Sequence, residues 1–157
     1  MNETSLLGRD DIEVDRPMPS RNHSRVAQRI GVALNAYSER LDVHQQLSLN
    51  LDGWKSVPDV ALFSRGVLPD DWLTDEDEVT IAPELVIEIL SPHQSVQPLI
   101  DKFRQYFQHG VKSCWLVEPA TRVISVFPCG GGSRAFTDGA VRDEVLNIGV
   151  PLADVFR

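Results

Sequence analysis

Three residues of the chain have the chemistry of a hydrolytic or metal-binding site: Asp59, Glu88 and Lys102. Glu88 lies inside the segment 85–90, whose other residues are apolar and mostly favour β-structure, so the segment predicts an inner strand. A carboxylate in such a strand is costly to bury unless it has a cation or hydrogen-bond partners, which makes it a functional candidate. Asp59 begins the preceding predicted strand. Neighbouring strands could therefore bring the two carboxylates together at one end of a sheet.

Two carboxylates fit a hard divalent cation such as magnesium or manganese, because Mg²⁺ needs few protein ligands and keeps several waters. Lys102 is placed on the next helix, at the border of its apolar face. An ammonium there could polarise a water for attack on phosphorus while the metal stabilises the developing charge. The spacing also fits a purely structural arrangement, in which Lys102 and Glu88 form an ion pair and Asp59 is a turn residue.

Four further residues are candidates for a pocket around these groups. Glu84 shares a strand face with Glu88 but stands nearer the strand start, where a peripheral or structural role is expected. His23, at the start of the first predicted helix, could act as a base or ligand or as a local cap. Gln105 and Tyr106 lie on the second predicted helix, and Tyr106 could contact phosphate or belong to the core.

The apolar periodicities predict a single mixed α/β layer structure, a domain of residues 20–157 after a flexible lead-in of residues 1–19. A second helix begins near Pro98 and stops at Gly110. Residues 64–82 form an exposed acidic loop rather than a metal site by their composition. The first two strands are expected to form a hairpin, and the tail to add a last strand and a closing segment. The remaining predicted elements are a helix over 20–40 and strands over 43–51, 57–63, 84–90, 113–117 and 122–127.

Length and charge restrict the function classes. A chain of 157 residues is the size of one domain. Its formal charge of −8 argues against nonspecific nucleic-acid binding through an overall basic surface, although a metal-loaded acidic pocket could still approach a phosphate. No apolar run approaches the roughly 20 residues of a bilayer span. The N-terminus lacks the features of a signal peptide, so we expect a cytoplasmic protein with free thiols at Cys114 and Cys129.

Several short segments follow one another in a recognisable order and spacing. They are Arg21-Asn-His-Ser24, Pro58-Asp-Val60, Ala82-Pro-Glu-Leu-Val-Ile-Glu-Ile-Leu-Ser-Pro92, Asp101-Lys-Phe-Arg-Gln-Tyr106, Gly110-Val111 and Trp115-Leu-Val-Glu-Pro119. Together they resemble the Uma-two family of restriction-endonuclease-like proteins, over roughly residues 20–157. The family is part of the PD-(D/E)XK nuclease superfamily.

This resemblance implies a restriction-endonuclease-like core, a mixed central β-sheet flanked by helices. It also implies a magnesium- or manganese-dependent endonuclease acting on DNA, and a homodimer would present two sites to a duplex. Asp59 and Glu88 take the places of the metal-binding acids. Leu90 stands where the superfamily usually has its lysine, and Lys102 matches a lysine that recurs in this family. The alternative is a non-catalytic nucleic-acid-binding or protein-interaction module that keeps the fold.

Overall fold

The computed structural model describes residues 18–157, so most of the predicted lead-in, residues 1–17, lies outside the described residues. Its helices are α1 (Arg21–Leu34), followed by a 3₁₀ turn (Asn35–Tyr37), α2 (Gln97–Gln108) and α3 (Leu152–Val155). Its strands are β1 (Leu41–Gln45), β2 (Leu49–Leu51), β3 (Trp54–Ser56), β4 (Val60–Ser64), β5 (Leu85–Ile89), β6 (Ser113–Glu118), β7 (Val123–Pro128), β8 (Arg134–Phe136), β9 (Ala140–Asp143) and β10 (Ile148–Pro151).

A six-stranded mixed sheet forms the centre of the fold, in the order β1-β4-β5-β6-β7-β8. Strands β5 and β6 are parallel and are connected through α2, whereas every other neighbouring pair in this sheet is antiparallel. Two small antiparallel ribbons, β2–β3 and β9–β10, lie beside it. This architecture confirms the predicted mixed α/β class. Among residues 18–157, no helix is both long and apolar enough to cross a bilayer.

The two long helices cover opposite faces of the sheet, because alternate residues of each strand point to opposite sides. On β5, Leu85, Ile87 and Ile89 pack in the core that includes the buried face of α1. Val86, between them, packs in the second core with α2 and the β2–β3 ribbon. The strand is thus buried on both faces, and Glu88 points to the α2 side by the same alternation.

Helix α1 begins where Ser20 caps it, since the Ser20 hydroxyl accepts a hydrogen bond from the His23 backbone N–H at 3.1 Å. It is shorter than the predicted helix over 20–40. Tyr37 belongs to a 3₁₀ turn, and its hydroxyl both donates to the Gly149 carbonyl at 3.0 Å and accepts from the Gly149 N–H at 2.8 Å. This anchoring ends the helix early and leads the chain back into β1.

Helix α2 follows the prediction closely. Pro98 occupies its first turn, and its buried side is formed by Leu99, Phe103 and Tyr106. Gly110 follows the helix with φ +98°, a conformation that L-residues rarely adopt, and its N–H donates to the Phe107 carbonyl at 3.1 Å. Lys102 lies one helical turn before Tyr106. The side chain of Lys102 therefore points toward the end of the sheet that carries Glu88.

The single strand predicted over 43–51 is wrong. Gln46 adopts φ +54° and its N–H donates to the Asp59 carbonyl at 3.2 Å, so the chain bends there and divides into β1 and β2. The hairpin expected of the first two predicted strands is therefore divided into two separate strand pairings. Strand β1 pairs with β4, whereas β2 turns back at once through Asp52-Gly53, both with positive φ, to pair with β3. The tail also contains more strands than predicted, because β8 and β9 are short and partly exposed and leave little periodic signal.

Candidate active site

The strand register brings Asp59 and Glu88 together. In the antiparallel pairing of β4 with β5, Val60 is opposite Ile87, so the next pair toward the end of the sheet is Asp59 with Glu88. Both side chains are buried, at 7% and 4% exposure, on the face covered by α2. Their carboxyl groups lie close enough to interact, since Asp59 is one of the causes that raise the pKa of Glu88. Two acids that lie almost thirty residues apart in sequence therefore form one contact pair.

Asp59 is held by two nitrogen donors that converge on its Oδ2 atom. The backbone N–H of Ile89 donates at 2.8 Å, and Nε2 of His23, from the first turn of α1, lies at 3.1 Å. Burial by itself would raise the pKa of Asp59, but the hydrogen bond and charge of His23 and the Ile89 N–H outweigh it and hold this pKa below its usual value. Asp59 is thus a carboxylate at neutral pH.

The pKa of Glu88 shifts in the opposite direction from that of Asp59. Burial, reinforced by the charge of Asp59, raises its pKa to about 7, against the stabilising effect of the Lys102 ammonium. Lys102 Nζ lies 2.7 Å from Glu88 Oε1. Within the described residues, this buried Oε1 atom has the ion pair with Lys102 but no further hydrogen bond. Oε1 therefore keeps acceptor capacity for another ligand.

Lys102 reaches Glu88 along the side of Tyr106. Its ammonium is 5.9 Å from the centre of the Tyr106 ring, and its side chain is 27% exposed, so it borders both the core and solvent. The Tyr106 hydroxyl makes a short contact with the Ser56 hydroxyl, and burial followed by the charge of Glu88 raises the pKa of Tyr106. Tyr106 is consequently a buried, neutral wall beneath the lysine.

An open pocket of about 980 Å³ contains these groups. Of the sequence candidates, Asp59, Glu88, Lys102, His23 and Gln105 line it. The remaining wall comes mainly from the bend at Gln46, the β2–β3 ribbon and the β5–α2 turn. Residues of these segments that were not singled out from the sequence are Gln46, Trp54, Lys55, Ser56, Ser91, His93 and Gln94.

Glu84, like the buried Tyr106, does not line the pocket. It shares the face of Glu88 as expected, but it lies at the other end of β5, where its carboxylate forms an ion pair with Lys112 at 2.7 Å and accepts from the Ser64 hydroxyl at 3.3 Å. Four strand residues separate the two acids by about 13 Å, so Glu84 lies away from Glu88 and the pocket. This is the peripheral position that its place near the strand start predicts.

His93 lines the pocket, and only the structure shows this position. It adopts φ +67° in the turn after β5, where Gln94 Oε1 accepts from the Ser91 N–H at 3.1 Å. Non-glycine residues in this conformation are uncommon and cluster at functional sites. The Ser91-Pro92 pair marks a strand end in the sequence, but nothing in it indicates that His93 turns toward the pocket.

The residues present fit a magnesium-type cation. Among residues 18–157, no three His, Cys, Asp or Glu side chains are grouped as a metal-binding cage. Mg²⁺ does not require such a cage, because one or two carboxylates together with waters and substrate phosphates complete its octahedron. The pair of Asp59 and Glu88, with the acceptor capacity of Glu88 Oε1, supplies two such oxygen ligands.

Comparison with known proteins identifies the family of the chain. The family model "Uma2: Putative restriction endonuclease" matches residues 7–151, most of the chain. The chain belongs to the Uma2 family. This membership confirms the Uma-two resemblance of the sequence motifs. A search among curated proteins found no match.

A solved structure has the same fold as this Uma2 protein. A crystal structure described as "a putative nuclease belonging to DUF820 from Anabaena variabilis" superposes with a TM-score of 0.78 at 23% identity, covering 90% of this chain and 83% of that one. At that identity the likeness establishes the nuclease fold alone. The DrdV protein of a DrdV–DNA complex overlaps at a TM-score of 0.43 and 13% identity, over 93% of this chain and 11% of that one, which supports no argument about this site.

Leu90 occupies the position two residues after Glu88 in this Uma2 chain. Its side chain packs at the edge of the α2-side core, and its N–H donates to the Val117 carbonyl at 2.8 Å. The ammonium next to Glu88 comes instead from α2. The site therefore brings two acids from neighbouring strands together with a lysine that is supplied by α2.

Proposed function

We propose that this protein is a nuclease that hydrolyses DNA phosphodiester bonds with a bound Mg²⁺ or Mn²⁺ ion. The observation that carries the proposal is the buried contact of the Asp59 and Glu88 carboxyls, with Lys102 Nζ 2.7 Å from Glu88 at the mouth of an open pocket. Its family membership and its nuclease fold support the same reaction class.

Asp59 and Glu88 would hold the cation. When bound, that cation supplies Lewis-acid stabilisation of the charge that develops on the phosphate and a water of lowered pKa. The chain itself performs the positioning. His23 and the Ile89 N–H hold Oδ2 of Asp59, which keeps the carboxylate ionised and restricts its rotation.

Lys102 has two roles in the proposed reaction. Once Glu88 has lost its proton, the Lys102 ammonium offsets part of the buried negative charge. With its partly exposed position it also reaches the pocket, where it orients the attacking water and stabilises the in-line transition state. The Tyr106 ring restrains the lysine through a cation–π contact, with the ammonium 5.9 Å from the ring centre.

The charge of the chain predicts how the substrate binds. With a net charge of −8, affinity for a polyanion depends on the cation in the pocket rather than on the general surface. We therefore expect weak DNA binding that requires metal and falls as salt rises.

A nicking assay tests the proposal. Supercoiled plasmid is incubated with the wild-type protein and Mn²⁺ or Mg²⁺, and relaxed circles are measured against time. Glu88→Gln and Lys102→Met are expected to reduce the rate by about 100-fold or more, since each removes a group proposed to act in the transition state. Conversion by the wild type without metal would contradict the metal role.

The chain contains a matched control. Lys112 and Glu84 form an ion pair of the same length, 2.7 Å, at the opposite end of β5 and outside the pocket. Lys112→Met and Glu84→Gln should therefore leave the nicking rate unchanged. Calorimetric titration completes the test. If neither Mg²⁺ nor Mn²⁺ binds in a way that Asp59→Ala abolishes, the proposal fails and a non-catalytic module with this fold replaces it.

A further inference from the structure

Trp54 lines the active-site pocket, but neither the metal site nor the lysine contact uses it. It begins β3, directly after the tight turn of Asp52 and Gly53, and its side chain is only partly buried. Trp54 and Ser56 point to the same side of the β2–β3 ribbon, since alternate residues of a strand share a face. The hydroxyls of Ser56 and Tyr106 are in contact, so this side faces α2. The indole is therefore part of the wall between the ribbon and α2.

Two rings from the C-terminal end of α2 hold the indole in place. The His109 ring stacks on it, with 5.5 Å between the ring centres and ring planes only 12° apart. The Tyr106 ring meets it nearly at right angles, at 78° and 4.8 Å. His109 is itself restrained, because its Nδ1 atom lies 2.8 Å from the Gln105 carbonyl oxygen. An aromatic side chain fixed in this way loses little conformational entropy when a ligand packs on it.

The pocket runs along one row of α2 residues toward this stack. Pro98, Lys102 and Gln105 line the pocket, and they lie at positions i, i+4 and i+7, which share a face of the helix. His109 is the next residue of that row, but it does not line the pocket, whereas Trp54 does. The pocket therefore meets the indole on the side that His109 leaves uncovered. Seven residues separate Lys102 from His109, which corresponds to about 10 Å along the helix.

An uncovered indole side next to a centre that cleaves phosphodiesters suits the flat face of a nucleobase. Stacking on aromatic side chains gives affinity for single strands and tolerates any base, because every base has such a face. In a duplex both faces of each base are covered by neighbouring base pairs. A protein ring reaches a base face only where the strand is unpaired or the base is flipped out. Stacking on Trp54 therefore selects an unpaired segment.

The few cations of the pocket favour the same substrate. In the part of the chain that the structure describes, two lysines and no arginine line the pocket. One is Lys102. The other is Lys55, which follows Trp54, has a side chain that is 51% exposed and pairs with Glu78 at 3.4 Å. Such an exposed pair is weak, so Lys55 can exchange Glu78 for a phosphate. Two lysines neutralise few duplex phosphates, whereas a stacked base supplies affinity that does not depend on charge.

We infer that the substrate is DNA with an unpaired segment, and that Trp54 stacks on a base close to the cleaved phosphodiester while Lys55 contacts a neighbouring phosphate. This inference rests on the proposed nuclease function for the identity of the polymer. It assigns Trp54 a binding role and no chemical step. The spacing of about 10 Å between the levels of Lys102 and His109 on α2 places the stacked base beside the cleaved linkage rather than at it.

Equilibrium binding to two short strands tests the stacking directly. Fluorescence anisotropy is measured with a labelled oligothymidylate of about 12 nucleotides and with an abasic strand of equal length and charge. Mn²⁺ is present, and all proteins carry Lys102→Met so that cleavage is slow. With Trp54 intact, the strand with bases should bind about 5- to 150-fold more tightly than the abasic strand, the usual effect of stacking one base. Trp54→Ala should lose most of this preference, and Trp54→Phe should retain most of it.

Trp72 provides the matched control, because its side chain is 98% exposed and lies outside the pocket. Trp72→Ala should keep the full preference for the strand with bases. A purely structural role of Trp54 would instead weaken binding to both strands equally, which would overturn the inference. Thermal unfolding establishes that each variant folds.

Lys55→Met is expected to act on the backbone contact alone. It should weaken binding to both strands by the same factor and reduce the slope of log affinity against log salt by about 0.7, the value for one phosphate contact on a single strand. An unchanged slope would overturn the role assigned to Lys55.

Cleavage by the wild-type protein tests the substrate class. With Mn²⁺, a single-stranded DNA circle should be cut at least about 10-fold faster than a relaxed closed duplex circle of the same sequence, and Trp54→Ala should narrow this difference. Nicking of supercoiled plasmid agrees with the inference, because negative supercoiling favours local opening of the duplex.

The outcomes separate this inference from the proposed function. A wild type that cuts both circles at equal rates keeps the nuclease function and overturns the inference. A protein that binds the oligothymidylate through Trp54 but cuts neither circle supports the stacking and overturns the nuclease function. Absence of oligothymidylate binding at about 100 µM protein would also overturn the inference.

Discussion

Replacement of Glu88 by Gln should make the metal-free protein more stable at alkaline pH. The Glu88 carboxyl has a pKa of about 7 in the folded protein against 4.5 for an unperturbed glutamate, because it is buried next to Asp59. A folded-state pKa above the unfolded value means that the native state holds a proton which the unfolded chain has released. Stability contributed by this group is therefore complete below about pH 4.5 and falls as the pH rises to 7.

The magnitude follows from the shift. A difference of about 2.5 pKa units corresponds to roughly 3 kcal/mol at 1.36 kcal/mol per unit. Glutamine resembles the protonated acid and cannot ionise, so Glu88→Gln should raise the free energy of unfolding by about 3 kcal/mol at pH 8. At pH 5, where the native wild type still holds its proton, the same linkage leaves a gain of only about 1 kcal/mol. Lys102 loses its partner in the variant, but its side chain reaches solvent.

Urea denaturation of both proteins at pH 5 and pH 8, in the presence of EDTA, measures these differences. Addition of Mn²⁺ at pH 8 should then stabilise the wild type but not the variant, because binding to the native state adds to its stability. A stability difference that does not change with pH would refute the reasoning. So would a metal-free wild type that is more stable than Glu88→Gln at pH 8. Glu84→Gln, outside the pocket, is the matched control.

Three other outcomes can be measured on the same protein. Because Glu88 must lose its proton to become a ligand, Mn²⁺ binding at pH 6.5 should release more than about half a proton and at pH 8.5 almost none; calorimetry in buffers of different ionisation enthalpy detects this, and equal release at both pH values would contradict it. His23→Ala should weaken Mn²⁺ affinity by about 10- to 100-fold through loss of its contact with Asp59, and His23→Gln, which keeps an N–H donor, should lose less. Asp143→Ala should lower the free energy of unfolding by about 3 kcal/mol or more without weakening Mn²⁺ binding, because the buried Asp143 carboxylate accepts four hydrogen bonds; loss of metal affinity would show that its effect reaches the site.

Periodic patterns in the sequence predicted the long elements well. The apolar spacing of α2, its proline start and its glycine stop are local signals that the final packing agrees with. The strand over 84–90 was equally clear, because an apolar run this long is buried on both faces in any layered fold. Where the prediction failed, the deciding interaction is distant in sequence. The bend at Gln46 depends on the Asp59 carbonyl, and the early end of α1 on Gly149.

The site residues likewise divide into those that local patterns predicted and those that depend on contacts distant in sequence. The sequence by itself determined that Glu88 is out of place in its strand and that Asp59 begins a neighbouring strand, since residue type and alternation are local properties. Helical spacing placed Lys102 at the border of the apolar face of the next helix, and the family resemblance supported it as the third residue of the site. Alternation alone could not separate Glu88 from Glu84, because both point to the same face of β5.

Only the tertiary structure decided which acid belongs to the pocket. The antiparallel register places Glu88 opposite Asp59, and the packing of α2 brings Lys102 to Glu88, while Glu84 meets Lys112 at the far end of the strand. The pocket wall was likewise undecided, because it is assembled from turns whose relative positions depend on the sheet. The pKa of Glu88 follows from that assembly, since burial and a neighbouring carboxylate are properties of the folded chain.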